Sequence, residues 1–524
     1  MSRRLVKDLG VRPQRTITDD VEETLMSQPL TPICVIGAGT MGRGIAQVAL
    51  ASGHPVHLVD PDKGQLDSAR SEIAARLGRK DPTAPALVES RLLTLTDVTQ
   101  APPDTRTIVV EAILERLDVK QEILRRAAEH FGPTCILATN TSSLSITAIA
   151  AGTPDPSRVV GMHFFNPVPV MKLVEVVRGL QTSDEIVDTI ADLAVRWGKS
   201  VAHVRSAPGF IVNRVARAFY GESLRLVEER AATAETIDEL MRSAGGFRMG
   251  PFELMDLIGN DVNFAVTQTV WTSYHYDPRF APSLIQSELI AAGRLGRKTG
   301  RGYYEYGEGS ERPLPRAAKV PTEAAARATR VVLHGSDEQL ETLLTRSGTE
   351  FDRAENDTPR VEFVGMGAVM VTGGRSAREE SSRRGEPVLI LDRCLDPATA
   401  SAVALASTDT TLTATVVALL DRARIRAFPV ADVPGLVVAR VLSMIANEAW
   451  EAVYHGVATP DDIDTAMRLG TNYPMGPFAW SARWSTRGVL ELLDALWSSY
   501  RDPRYRASHA LRSAALDTSA VNRR

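Results

Sequence analysis

The chain has 524 residues, 44% hydrophobic and 24% charged, with a formal net charge of −4 at pH 7. That balance excludes a bulk nucleic-acid or polyanion binder, and no apolar run approaches the roughly 20 residues that span a bilayer. At roughly 100–200 residues per domain the length predicts three or four domains. The three cysteines (Cys34, Cys135 and Cys394) form no Cys-x-x-Cys pair, which predicts buried thiols in a reducing cytoplasm rather than a disulfide framework.

Residues 1–30 are charged and have no apolar segment of the kind a secretory signal carries, so they read as a flexible extension. A second start at Met26 predicts that the first 25 residues are dispensable. The first strand is Ile33-Cys34-Val35-Ile36. It runs into Gly37-Ala38-Gly39-Thr40-Met41-Gly42 and then a helical pattern from Arg43 to Leu50. Gly-x-Gly-x-x-Gly between strand and helix is a dinucleotide-binding signal. Gly37 permits the turn, Gly39 lets backbone approach a pyrophosphate, and Gly42 lets helix and strand pack closely. Asp60 ends the next strand, Val56 to Asp60. A carboxylate there accepts ribose hydroxyls and repels a 2′-phosphate, which favours NAD over NADP.

Further alternation follows: a strand at Thr107–Glu111, a helix from about Leu117 to His130, and a strand at Thr134–Thr139 ending in Asn140-Thr141-Ser142-Ser143. This predicts a doubly wound parallel sheet with ligands beyond the carboxyl ends of its strands. Arg158 to Phe165 and Val170 to Val177 read as two more strands, joined by Asn166-Pro167-Val168-Pro169. With these paired around the turn, His163 and Glu175 lie side by side. A carboxylate on one ring nitrogen fixes the tautomer and leaves the other nitrogen as a base. Pro208-Gly209-Phe210-Ile211-Val212-Asn213-Arg214 then opens a helix.

VIGAGTMGRGIAQVA, VVEAILERLDVKQEIL, NTSSLSITAIA, GMHFFNPVPVMKLVEVV, PGFIVNR, MGPFEL and GRLGRKTGRGYYEY occur in order over about residues 31–306. Together they resemble the 3-hydroxyacyl-CoA dehydrogenase family. The resemblance implies NAD-dependent, reversible oxidation of an (S)-3-hydroxyacyl-CoA to the 3-ketoacyl-CoA. It implies His163 as the base, Glu175 as its orienting carboxylate, and Ser142 and Asn213 as hydrogen-bond partners of the substrate oxygen. The implied cofactor positions are Gly37, Gly39, Thr40, Met41, Gly42, Asp60, Glu111, Arg116, Asn140, Ser142 and Lys298, with no metal. The overall length and the GRLGRKTGRGYYEY ending are most similar to dehydrogenases of the phenylacetate-degradation type, which act on 3-hydroxyadipyl-CoA; those acting on 3-hydroxybutyryl-CoA share the motifs. A non-catalytic NAD-binding relative would lack the base or its carboxylate, and both are present.

The second half contains a repeat. Pro208 to Arg214 matches Pro434 to Arg440, Ile237-Asp238 matches Ile463-Asp464, and Met249 to Phe252 matches Met475 to Phe478. Ala439 replaces Asn213 in the second copy, so that copy reads as catalytically silent, with packing as its work. The predicted organisation is an extension (1–30), a Rossmann-type α/β domain (31–206), an all-α substrate and dimerisation domain (207–307), and a linker (308–324). A reduced α/β domain (325–430) and a second all-α copy (431–515) follow. The assembly expected is a homodimer or an intramolecular pseudo-dimer through the duplicated helical domains. Gly365 to Met370 lacks a third glycine and a following helix, and Gly373 to Glu386 reads as a solvated loop.

Overall fold

The computed structural model describes residues 30–517, apart from 80, 312, 321–329 and 357. The extension before Leu30, the Met26 start and part of the linker lie outside the described residues. The chain forms two compact units. The first takes in the described residues up to Ile211 together with His455–Gly470, and the second comprises Val212–Tyr454 and the described residues from Thr471.

The first unit is built on strands β1 (Ile33–Ile36), β2 (Val56–Val59), β3 (Leu92–Leu95), β4 (Ile108–Glu111), β5 (Ile136–Thr139), β6 (Val159–Phe164), β7 (Leu173–Arg178) and β8 (Ser200–Arg205). They form one sheet in the order β3-β2-β1-β4-β5-β6-β7-β8. All neighbours run parallel except β6 and β7. The short apolar runs ICVI, VHLV, IVVE and ILAT are buried throughout, as strands covered on both faces require. The chain order reverses between β1 and β4, the point in such sheets where a ligand crevice opens.

β7 starts at Leu173, later than the Val170 read from the sequence. Val170 and Met171 instead donate their N–H groups to the carbonyl of Pro167, closing a turn. The buried Lys199 ammonium donates to the carbonyls of Val168 and Met171 and holds that turn from below. The outer edge of β8 is covered by His455–Gly470. Arg205 N donates to Val457 O at 2.8 Å, and His203 N donates to Asp462 Oδ1 at 3.0 Å. The repeat places this segment in the second helical copy, yet it closes the sheet edge of the first unit.

In the second unit, β9 (Val331–His334), β10 (Asp352–Ala354), β11 (Arg360–Phe363), β12 (Gly367–Val371), β13 (Val388–Leu391), β14 (Ala402–Ser407) and β15 (Arg426–Pro429) form a mixed sheet. Their order is β10-β9-β11-β12-β13-β14-β15. Gly365 and Gly367 belong to the β11–β12 hairpin, so they form no phosphate loop. The stretch Gly373–Glu386 is not simply a loop, because it contains a helix at Ala377–Arg384. Ser376 Oγ accepts from Glu379 N, Glu379 returns the bond to Ser376 N, and Gly385 ends the helix at φ 71°.

The helices of the two copies pack together inside this unit. Arg214 Nε donates to Glu448 Oε1 at 2.6 Å, and Arg440 Nε donates to Glu222 Oε1 at 2.5 Å. Arg214 and Arg440 are equivalent positions of the repeat, as are Glu222 and Glu448, so one contact is made twice, once in each sense. All four side chains are at most 5% exposed. Removing one partner would leave an uncompensated buried charge.

Candidate active site

The glycine loop is shaped as its sequence requires. Gly37 has φ +106°, and a Cβ there would meet Ala112 O at 2.5 Å; a Cβ on Gly42 would meet Gly37 O at 1.8 Å. A Cβ on Gly39 would meet nothing within 4 Å, so its backbone faces open space. The following helix, Thr40–Ala51, has no side-chain cap and no acidic residue in its first turn. Its leading N–H groups and dipole therefore suit an anion. Asp60 lies at the end of β2, where Oδ2 accepts from Ala38 N at 2.8 Å and Oδ1 from Asp62 N at 2.9 Å. It fixes the loop while keeping lone pairs for a diol. These features fit a dinucleotide pyrophosphate and ribose.

His163 and Glu175 are directly opposed across the antiparallel β6–β7 pair. His163 Nδ1 lies 2.6 Å from Glu175 Oε2, and the two side chains are 7% and 0% exposed. Glu175 Oε1 accepts from Ile211 N at 3.0 Å. With both oxygens accepting, Nδ1 is the donor to Glu175, and in the neutral ring the lone pair is on Nε2. The rings of Phe165 and Phe210 stand 4.6 and 5.7 Å from the imidazole, limiting how it can turn. Gly161, two residues earlier, has no room for a side chain, since a Cβ would meet Val177 at 2.7 Å and Ile146 at 2.8 Å.

The Asn140–Ser143 loop sits beyond β5, next to β6. Asn140 Oδ1 accepts from Phe164 N at 2.9 Å, tying the loop to the residue after His163. A residue not singled out from the sequence, Glu115, organises the rest. Its Oε1 accepts from Thr141 Oγ1 at 2.6 Å, Ser142 N at 2.9 Å and Ser143 N at 3.1 Å. Burial works against its charge, but the Thr141 hydroxyl, Lys120 and Ser142 N–H outweigh this and hold its pKa below the ordinary value. Lys120 is 1% exposed and bridges Glu111 at 2.7 Å and Glu115 at 3.3 Å.

Glu111 is fully buried, and its oxygens are taken by Lys120, Thr139 Oγ1 and Ile113 N. Arg116 points to solvent and pairs with Asp118. The structure brings Asn140, Ser142, His163 and Glu175 to neighbouring strand ends of the first unit. Asn213 and Lys298 belong to the second unit, where Asn213 O accepts from Arg217 Nε at 2.9 Å and Lys298 pairs with Asp261 at 2.6 Å. The only sequence signal for Glu115 was a second carboxylate four residues past Glu111. Lys120 gave none, because a lysine on a helix reads as solvated.

Residues 32–207 match the model of the 3-hydroxyacyl-CoA dehydrogenase NAD binding domain, and residues 209–306 and 435–520 match that of the C-terminal domain. Residues 369–434 match the 3-hydroxybutyryl-CoA dehydrogenase reduced Rossmann-fold domain. The chain is 40% identical over 491 residues to the 3-hydroxyadipyl-CoA dehydrogenase of Escherichia coli K12, spanning 92% of this chain and 97% of that one. It is 39% identical over 284 residues to the mitochondrial hydroxyacyl-coenzyme A dehydrogenase of Sus scrofa, 52% of this chain and 90% of the relative. Among solved structures, the 3-hydroxybutyryl-CoA dehydrogenase of Escherichia coli K12 superposes with a TM-score of 0.85 at 38% identity, covering 94% of this chain and 99% of the other. A chain this similar to such relatives along nearly its whole length belongs to the NAD-dependent 3-hydroxyacyl-CoA dehydrogenase family.

Proposed function

We propose that His163 is the general base of 3-hydroxyacyl-CoA oxidation in this chain and that 3-hydroxyadipyl-CoA is its preferred substrate. The observation that carries the mechanism is the buried His163–Glu175 pair, which directs the lone pair of the neutral ring to Nε2. His163 Nε2 takes the proton of the 3-hydroxyl group as the C3–H bond breaks. Glu175 accepts the Nδ1–H bond throughout and stabilises the positive charge that develops on the ring. Ser142 and Asn213 hold the oxygen as it becomes a carbonyl. Bound NAD⁺ supplies the hydride acceptor, cradled by Gly37–Gly42 with Asp60 at the adenosine ribose. In reduction His163 returns the proton. A positioned base contributes roughly 10²–10⁴-fold.

The substrate reading rests on likeness along nearly the full length to a relative named 3-hydroxyadipyl-CoA dehydrogenase. On that reading the chain serves degradation of aromatic compounds of the phenylacetate type. The second reading, 3-hydroxybutyryl-CoA, is supported by the name of the superposing solved structure. Steady-state NAD⁺ reduction with the (S) isomers of both esters decides between them. A kcat/KM at least tenfold higher on the adipyl ester is expected, and the reverse preference would overturn the substrate reading. Turnover of neither would overturn the mechanism.

We also infer that the reciprocal Arg214–Glu448 and Arg440–Glu222 pairs make the two helical copies an intramolecular pseudo-dimer.

A further inference from the structure

We propose that the cleft between the two helical copies of the second unit binds a small oxyanion, represented by inorganic phosphate, on Arg504 and Arg225. The lining of the cleft includes Arg225, Arg279, Arg504, Glu222, Glu448 and Asn447. Glu222 and Glu448 are equivalent positions of the repeat, and Asp277-Pro278-Arg279 recurs with a one-residue slip as Asp502-Pro503-Arg504, which pairs Arg279 with Arg504. The cleft therefore lies where the two copies face each other.

Its two sides are not equally satisfied. On one side, Arg279 Nη2 lies 3.1 Å from Asp277 Oδ2 and 3.3 Å from Glu451 Oε1, and its Nη1, which makes no hydrogen bond among the described residues, still lies 3.4 Å from Glu448 Oε2 as an ion pair. On the other, Arg504 Nη2 reaches Asp502 Oδ2 at 3.2 Å. Arg504 Nε and Nη1 are buried with no hydrogen-bond partner among the described residues, and the side chain is 6% exposed.

The sequence explains the difference. The position equivalent to Glu451 is Arg225, so Arg504 faces a second cation where Arg279 faces a carboxylate. Arg225 Nη1 approaches the same Asp502 Oδ2 at 4.0 Å. Glu222, the mate of Glu448, turns to other partners: its Oε1 accepts from Arg440 Nε at 2.5 Å and from Tyr505 Oη at 2.7 Å. The equivalent of Tyr505 in the first copy is Phe280, which has no hydroxyl to compete. Two guanidinium groups thus share one carboxylate, and one of them has two buried donors without a partner among the described residues. A planar guanidinium in that state suits an oxyanion, which accepts charge-assisted bonds from both edges.

The test uses the full chain with saturating NADH, which keeps the dinucleotide site filled. Thermal unfolding is followed against sodium phosphate and, at matched ionic strength, sodium chloride. Phosphate should raise Tm saturably and chloride should not. Arg225→Glu gives Arg504 the carboxylate that Glu451 gives Arg279, so it should weaken the phosphate half-saturation about tenfold, the scale of one charge-assisted hydrogen bond. Arg504→Met should do the same. If Arg504→Met does not fold, Arg225→Glu decides alone. The proposal is overturned by an absent or non-saturating phosphate effect, by an equal effect of chloride, or by a phosphate response in Arg225→Glu that matches the unaltered chain.

Discussion

Glu175→Gln separates what the carboxylate does for His163 from what it does for the fold. Glu175 accepts from His163 Nδ1–H at 2.6 Å on one oxygen and from Ile211 N–H at 3.0 Å on the other. A glutamine has one acceptor oxygen. If it stays on Ile211, its amide N–H faces Nδ1 and forces the proton to Nε2, which removes the base. If it turns to His163, the amide N–H confronts the buried Ile211 N–H. The first arrangement inverts the tautomer, and the comparable change in a serine-protease triad costs roughly 10⁴-fold in kcat. A loss of about 10³–10⁴-fold is expected here, or ~4–5.5 kcal/mol of transition-state stabilisation. NADH affinity, measured by fluorescence titration, should stay within about twofold. Steady-state NAD⁺ reduction reports kcat, and a denaturant melt run alongside isolates any loss of stability. A folded Glu175→Gln variant that keeps kcat within threefold of the unaltered chain would refute the reasoning.

Three further outcomes follow from the geometry. Asp60→Ser removes the carboxylate at the end of β2, so kcat/KM with NADP⁺ relative to NAD⁺ should rise about tenfold or more; an unchanged ratio would place cofactor choice elsewhere. Arg214→Met strands the buried Glu448 and should cost about 3–5 kcal/mol in urea unfolding, whereas Arg214→Met with Glu448→Met should cost less; a double variant no more stable than the single would contradict this. Burial pushes the Asp238 carboxyl up to about 7, against the Tyr304 hydroxyl that favours its charged form. The native state thus keeps a proton that the unfolded chain releases near pH 4, so this contribution to stability is full below about pH 4 and lost as pH rises through 7. Unfolding free energy should carry a downward slope of up to ~1.4 kcal/mol per pH unit between about pH 5 and 7, and Asp238→Asn should remove it.

What was legible in the sequence was whatever depends on local geometry. Gly37, Gly39 and Gly42 announce a turn that tolerates no Cβ at its first and last positions. The spacing of His163 and Glu175 around a proline turn predicted neighbouring strands, and in the structure the two residues are directly opposed. Side chains that work against their own solubility were not legible. Lys120 sits buried between two carboxylates of the same ten-residue stretch, an arrangement that depends on how the end of β4 turns into the next helix and that spacing alone does not show. The Ala377–Arg384 helix was read as a loop because its charges show no apolar stripe. Yet Ser376 and Glu379 form a capping box that names its start, a signal weighted too lightly beside composition. Extending the repeat from Arg214 and Arg440 to Glu222 and Glu448 would have exposed the reciprocal ion pairs, because both residue types recur at the same spacing.

The covalent link between the two helical copies changes what mutation can do to their interface. In a dimer of identical subunits every substitution appears on both sides of the axis, so a charge placed there always meets its own double. Here the two sides vary independently, and one carries Arg225 where the other carries Glu451. Contacts that symmetry would forbid become available, and the local concentration of one copy about the other no longer falls on dilution. The second copy is thereby free to drift into roles closed to an exact twin.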